Sequence, residues 1–356
     1  MTSLNDLPLR ADLVGKQPYG APQDFVSITL NVNENTHELP DEIVDDITRQ
    51  LRDAVKTANR YPDREFTELR EKLAEFLGHG LTAENIWAAN GSNEVLQQIL
   101  QAFGGPGRTL LSFTPTYSMY PLLASATGTG WIAVPRPEDF VLTAEYVASK
   151  IREANPSIVV LCSPNNPTGT PLDKAVIEAA YDAFDGMLIV DEAYIEFAPE
   201  DRTALDLLQS RPRLLISRTM SKAFAFAGVR IGYLAANPVA VDALRLVRLP
   251  YHLSVLTQAA GVAALGHNKE MLSTVAEITR QRERIEARLA ELGYEVHPTE
   301  SNFVLFGGVK DPKATFEALR SKGILIRDVG IPNHLRVTAG TESETTAFLN
   351  AMAELG

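Results

Sequence analysis

Cysteine is almost absent. Cys162 is the only thiol in 356 residues, so no disulfide can form within the chain, which suits a reducing compartment. Long apolar runs are missing too. Nothing approaches the ~18 apolar residues of a membrane span, and the opening MTSLNDLPLRADL has neither the charged start nor the apolar core of a secretory signal. The expectation is a cytoplasmic protein with no membrane role. Basic clusters are lacking: 33 Lys and Arg against 45 Asp and Glu give a formal charge of −12. Nucleic acid and anionic bilayers are poor partners for such a surface, although a few converging arginines can still make a pocket for a small anion. The six histidines show no paired ligand spacing, so no metal is expected.

What is present is enough for about two domains at ~100–200 residues each. The chain is 45% apolar and 22% charged, an ordinary balance for a globular protein with a large core. Residues 1 to about 35 read as irregular, broken by Pro8, Pro18, Gly20 and Pro22. Short apolar runs then alternate with helical patterns: NIWAA (85–89), TLLSF (109–113), GWIAV (130–134), SIVVLC (157–162), MLIV (187–190), RLLIS (213–217) and IGYLAA (231–236). Most are continuous rather than alternating, the pattern of strands covered on both faces, and the helices between them point to βα units. Near 250 the texture changes. A long charged helix ends at Gly293, and SNFVLF, ILIRD and HLRVT follow among further helices. The fold class expected is α/β: a large domain with a mostly parallel, helix-covered sheet, and a smaller α+β domain formed by the C-terminal part with the N-terminal segment. The boundaries expected are 1–38 for an arm packing on the small domain or a partner subunit, 39–250 for the large domain and 251–356 for the small one.

Four strands are followed at once by unusual polar residues: Asn90-Gly91-Ser92-Asn93 after AA, SPNNPTG after VVLC, DEAY after MLIV and RTMSK after LLIS. In a parallel sheet these ends share one edge, outside which ligands bind. Each stretch alone is weak; their convergence is the signal. A helix opening at Gly91-Ser92 offers free N–H groups to a phosphate, and Arg230 can add a charge-assisted bond. Asn166 can face a pocket or simply make an Asx turn. Asp191 beside a buried strand needs a donor or cation, and Tyr194 can bring its phenol to the same side. Lys222, in TMSKAFAFAG, can form a Schiff base with an aldehyde if its amine is desolvated.

Phosphate cradle, carboxylate, phenol, amide and lysine are together the parts of a pyridoxal phosphate site. The set SPNNPTG, DEAY, TMSKAFAFAGVRIGY and HLRVTAGT resembles the pyridoxal-phosphate aminotransferases of the aspartate-aminotransferase fold, and most closely the histidinol-phosphate aminotransferases. LNVNEN (30–35), RYPD (60–63), GSNE (91–94) and PTYSMY (115–120) fall where that group has comparable stretches. The resemblance spans essentially the whole chain and is more specific for fold and cofactor than for substrate. It implies that Lys222 carries the cofactor and shuttles a proton at the substrate α-carbon. Asp191 would pair with the ring nitrogen, Tyr194 and Asn166 would bond the ring oxygen, and Tyr117 would stack on the ring face. Ser92, Asn93, Ser221 and Arg230 would hold the cofactor phosphate, joined by Tyr61 from the other subunit of a homodimer. On the substrate side it implies Arg336 for a carboxylate and Arg327 for a phosphate, with Asn302 and Asn33 lining the cavity and Tyr19 and Tyr251 shaping its wall; packing alone would account equally for those two tyrosines. One departure follows NENT, where Thr36-His37 replace the usual proline and aromatic residue, and His37 reads as a surface residue rather than a catalyst. The reaction implied moves an amino group from glutamate, leaving 2-oxoglutarate, to imidazole-acetol phosphate, giving histidinol phosphate in histidine biosynthesis. The rival readings are an aromatic amino acid aminotransferase or a decarboxylase on the same scaffold, and a non-enzymatic pyridoxal phosphate sensor.

Overall fold

The computed structural model describes residues 6–15, 20, 24 and 26–355. Among the described residues, twelve strands run in chain order: β1 (Ile28–Thr29), β2 (Ile86–Asn90), β3 (Thr109–Thr114), β4 (Gly130–Pro135), β5 (Ile158–Cys162), β6 (Met187–Asp191), β7 (Leu214–Thr219), β8 (Ile231–Ala236), β9 (Glu295–Val296), β10 (Phe303–Gly307), β11 (Ile324–Leu325) and β12 (Leu335–Thr338). Seven of them form one sheet in the order β2-β8-β7-β6-β5-β3-β4. β4, β3, β5, β6 and β7 are mutually parallel, whereas β8 runs antiparallel to both β7 and β2. Two reversals restore the direction, so β2 also points its carboxyl end to the common edge.

The apolar runs explain this sheet. Every residue of β5 is buried, as is every residue of β7 and β8, because helices cover both faces. Trp87, Phe113, Tyr120, Phe224 and Tyr233 fill the space between layers, each contributing roughly 1.5–3 kcal/mol on burial. Helices enter with side-chain caps where the sequence supplies them: Thr143 accepts from the Tyr146 N–H, Asn237 from Val239, and Ser254 from Thr257. Among the described residues, no helix is long and apolar enough to cross a membrane.

A second core surrounds the antiparallel sheet β12-β10-β9. It takes in Leu30 from the N-terminal segment and Tyr194, Phe197 and Ala223 from the large unit. The early segment is therefore not wholly irregular: β1 pairs in parallel with β11, a strand too short to leave a periodic signal. Arg10, earlier still, donates to the carbonyls of Ser125 and Ala126. The helix Val255–Gly266 packs its Ala260, Ala263, Ala264 and Leu265 into the larger core, which extends to Met271, past the change of texture near 250.

One close approach fixes the sheet edge. A Cβ on Gly232 in β8 would lie 2.0 Å from the Ser92 nitrogen at the start of the helix Ser92–Phe103. Gly232→Ala should therefore push that helix start outward and lower stability by about 1–3 kcal/mol, read as a shift in urea midpoint; a wild-type midpoint would mean the contact yields without strain.

Candidate active site

A cavity of about 580 Å³ opens at the carboxyl edge of the large sheet. Asn33, Ser92, Asn93, Tyr117, Asn166, Asp191, Tyr194, Ser221, Lys222, Arg230, Arg327 and Arg336 all line it. The register places Asp191 at its floor: it ends β6, the middle strand, between Cys162 of β5 and Ser217 of β7.

Lys222 follows β7 on a turn held by its apolar neighbours. Ala223, Phe224 and Phe226 are buried, Phe224 lies edge-on to Phe76, and the Phe226 N–H closes on the Met220 carbonyl at 3.2 Å. The apolar stretch after the lysine thus anchors the turn and leaves the amine in the cavity. Nζ donates to the Val32 carbonyl at 2.9 Å. Burial, then the Arg336 charge and to a lesser degree Arg230, pull its pKa down to about 8, with Glu34 opposing them. The amine is thus far closer to neutral at physiological pH than a surface lysine.

Asp191 is 2% exposed. Its Oδ2 accepts from the Tyr120 hydroxyl at 2.8 Å, and its Oδ1 is buried with no partner among the described residues. Burial pushes the carboxyl up to about 6, against the Tyr120 hydrogen bond and the nearby Ala193 N–H, which favour the charged form. Tyr194 is also buried, and its phenol oxygen accepts from Asn33 at 2.9 Å and Asn166 at 3.3 Å; burial raises its pKa. Asn165, fully buried, ties the SPNNPTG loop down through Thr116, Thr168 and the Pro115 carbonyl. That leaves its neighbour Asn166 to face the cavity, where its Oδ1 accepts from Arg336.

At the other end of the cavity, Gly91 adopts φ +84°, and a Cβ there would meet the Arg230 guanidinium at 2.4 Å. Glycine is required on both counts. Arg230 donates to Ser221 at 3.3 Å, beside the first turn of the helix Ser92–Phe103, whose leading N–H groups have no intrahelical acceptor. Tyr117 donates to Asn93 Oδ1 at 3.3 Å. Arg336 and Arg327 exchange both backbone hydrogen bonds at 2.9 Å, so two guanidinium groups reach the cavity from adjacent backbone. Arg336 donates to the Asn31 carbonyl at 2.7 Å and lies over Phe303. The Arg327 side chain has no hydrogen-bond or ion-pair partner among the described residues.

Pyridoxal phosphate fits this donor set on observations of the cavity itself. The orphaned Asp191 oxygen calls for a cationic donor such as a protonated ring nitrogen. The helix start with Ser221 and Arg230 makes an anion cradle, and Lys222 supplies a low-pKa amine between them.

Tyr251 and Asn302 do not line this cavity, Tyr61, expected to serve a partner subunit, lies outside the cavity of its own chain, and Tyr19 falls outside the described residues. Tyr61 is 81% exposed and stacks on Tyr251, ring centroids 4.5 Å apart. Tyr251 therefore does not shape the cavity wall of its own chain. Glu65 grips both Arg245 and Arg248, which draws residues 61–66 and 245–252 together at the surface. Asn302 is buried behind the wall rather than in it, donating to the Asn33 carbonyl at 3.1 Å. His37 is half-buried rather than on the surface, with its Nε2 enclosed. Tyr120, which the sequence motifs did not single out, belongs to the site through its bond to Asp191. PTYSMY carries it three residues beyond Tyr117, and the two rings meet edge to face, 5.5 Å apart.

The Asp191 shift makes a stability prediction. The folded chain holds a proton that the unfolded chain releases near pH ~4, so cofactor-free protein loses stability as pH rises from there to about 6. The penalty is on the order of 3 kcal/mol. Cofactor-free Asp191→Asn should be the more stable protein at pH 8 and lose that advantage near pH 4, measured by urea unfolding at both; a difference independent of pH would refute the assignment.

A model of the family described as aminotransferase class I and II matches residues 26–352. A histidinol-phosphate aminotransferase of Paenarthrobacter aurescens is 58% identical over 356 residues, 99% of this chain and 96% of that protein. One of Thermobifida fusca is 53% identical over 351 residues, 98% of this chain and 96% of that protein. Among solved structures, the histidinol-phosphate aminotransferase from Sinorhizobium meliloti, in complex with pyridoxal-5'-phosphate, superposes with a TM-score of 0.87 at 24% identity, covering 99% of this chain and 100% of that one. At that identity the likeness speaks for the fold.

Proposed function

We propose that this chain, which belongs to aminotransferase class I and II, is a pyridoxal-phosphate-dependent histidinol-phosphate aminotransferase that works as a cytoplasmic homodimer in histidine biosynthesis. Glutamate and imidazole-acetol phosphate would be converted to 2-oxoglutarate and histidinol phosphate. The observation that carries the reading is the pair Arg327 and Arg336, on hydrogen-bonded backbone, lining the same cavity as the Lys222 amine. One substrate has two carboxylates and the other a phosphate, so two separate guanidinium groups suit alternating occupants.

When bound, pyridoxal phosphate supplies an electron-withdrawing ring that stabilises negative charge at the substrate α-carbon and carries the amino group between donor and acceptor. Lys222 is the base: with its pKa near 8, the amine is available to take a proton from that carbon and return it. Asp191 would hold positive charge at the ring nitrogen, an interaction that would also relieve its own burial. Tyr194 and Asn166 would hold the ring oxygen. Tyr117 would cover the ring, and Ser92, Asn93, Ser221 and Arg230 would hold the phosphate. Arg336 takes the glutamate carboxylate and Arg327 the ester phosphate, while Asn33, positioned by Asn302, completes the wall.

These roles separate by substrate. A charge-assisted pair is worth ~1.5–3 kcal/mol, so Arg327→Leu should raise KM for histidinol phosphate about 10- to 150-fold and leave glutamate nearly unchanged. Arg336→Leu should do the reverse. Equal losses on both substrates, or wild-type turnover of phenylalanine matching histidinol phosphate, would favour the aromatic aminotransferase instead.

An exposed apolar patch of Tyr61, Leu246, Leu249 and Tyr251 supports self-association, with Tyr61 reaching the phosphate of the second subunit. Lys222→Ala and Tyr61→Ala are each expected to be nearly inactive. Mixed 1:1 under exchanging conditions, they should recover about one quarter of wild-type activity, because each mixed dimer regains one intact site. No recovery, with dimer exchange verified by mass, would mean Tyr61 serves its own chain.

A further inference from the structure

Two histidines distant in sequence meet at the edge of the small sheet. His297 follows β9 and His334 precedes β12, with β10 between them. Their Nε2 atoms lie 2.9 Å apart, and the rings stack with centroids 5.1 Å apart. Glu295, two residues before His297, brings Oε1 to 3.9 Å from the His297 Nε2. One ligand atom from each of the three falls within 4.8 Å of the others.

Two further observations give this cluster a direction. His334 Nδ1 lies 2.6 Å from the Pro332 carbonyl. A carbonyl only accepts, so Nδ1 carries the ring proton and Nε2 presents a lone pair toward His297 and Glu295, as when a carbonyl orients a metal-binding imidazole. Space for an ion is kept by Gly307, paired with Glu295 across β9 and β10. A Cβ there would sit 2.7 Å from His334 Nε2 and 3.1 Å from Glu295 Oε2. Gly307 is not among the positive-φ glycines, so backbone conformation does not demand it; its missing side chain is what leaves the three ligand atoms facing one another.

We propose that Glu295, His297 and His334 bind one divalent transition-metal ion, zinc by ligand chemistry. None of the three lines the cavity that holds Lys222, so this site is separate from the aminotransferase centre. Two imidazole nitrogens and a carboxylate oxygen suit Zn²⁺ with water in the fourth position, and disfavour Mg²⁺ and Ca²⁺, which prefer all-oxygen shells. Ligand bonds of ~2.0–2.2 Å require the imidazoles to part by only a few tenths of an ångström and the exposed Glu295 to swing inward. The ion would pin the loop before β12, two residues from Arg336. It would also sit beneath Phe140, a large-unit residue whose ring lies edge-on to both His297 and His334. Its role would be to fasten the junction between the two cores. The six histidines gave no hint of it because His297 and His334 are 37 residues apart and only strand pairing joins them.

The test is a Zn²⁺ titration of tag-free holoenzyme by calorimetry and chelator competition, with Mg²⁺ as control and thermal unfolding in parallel. Wild type should bind one more equivalent than His334→Gln, with at least a tenfold weaker affinity at this site in Glu295→Gln, and should melt at a higher temperature in Zn²⁺ than either variant. Glu295→Gln changes an exposed side chain, so the comparison stands even if His334→Gln folds poorly. Equal stoichiometry and affinity in wild type and Glu295→Gln, or no saturable binding by wild type, would overturn the proposal.

Discussion

A carboxylate is buried at the end of the middle strand with one of its two oxygens unanswered, and the surroundings of the cavity follow from that. Asp191 is among the least exposed acids of the chain, and its Oδ1 has no described partner. Leaving such a group in a folded protein is costly unless a cation or donor meets it. The sheet makes the arrangement possible: parallel strands bring Cys162, Asp191 and Ser217 to one edge in register, and helices on both faces exclude water from the floor. The same exclusion lowers the Lys222 pKa. One physical cause, desolvation, thus acts with opposite sign on the two groups, raising an acid and weakening the proton hold of a base.

Electrostatics then sorts the cavity. The chain carries a formal charge of −12, yet Lys222, Arg230, Arg327 and Arg336 share this one space. Glycine permits the crowding at one end, since Gly91 alone allows the Arg230 guanidinium to lie against the helix start. At the other end, the backbone exchange between Arg327 and Arg336 fixes the separation of two cationic groups. Side-chain flexibility can then serve substrates of different length without moving the backbone.

The large sheet was legible because most of its strands are continuous apolar runs spaced by helical patterns, as at SIVVLC and MLIV. The cavity residues were legible where a strand end and a polar motif coincide, as at Asn166, Asp191 and Lys222. Legibility failed where the determinant is tertiary. Tyr120 sits in a motif already noticed, but its bond to Asp191 joins residues 71 apart. β1 is two residues long, so its pairing with β11 leaves no periodicity. Asn302 reads like a cavity residue, yet it is fully buried and donates to the Asn33 carbonyl from behind the wall. Tyr251 is drawn to the surface by the grip of Glu65 on Arg245 and Arg248, an ion-pair cluster no local pattern announces.

The central claim is that Lys222, and no other lysine, is the amine that meets the cofactor. The direct measurement is borohydride reduction of the holoprotein, which turns a reversible lysine–carbonyl linkage into a stable one, followed by peptide mass mapping. The expected result is a pyridoxyl mass increment confined to the peptide containing Lys222. An increment on any other lysine, or none on protein that retains bound cofactor, would contradict it.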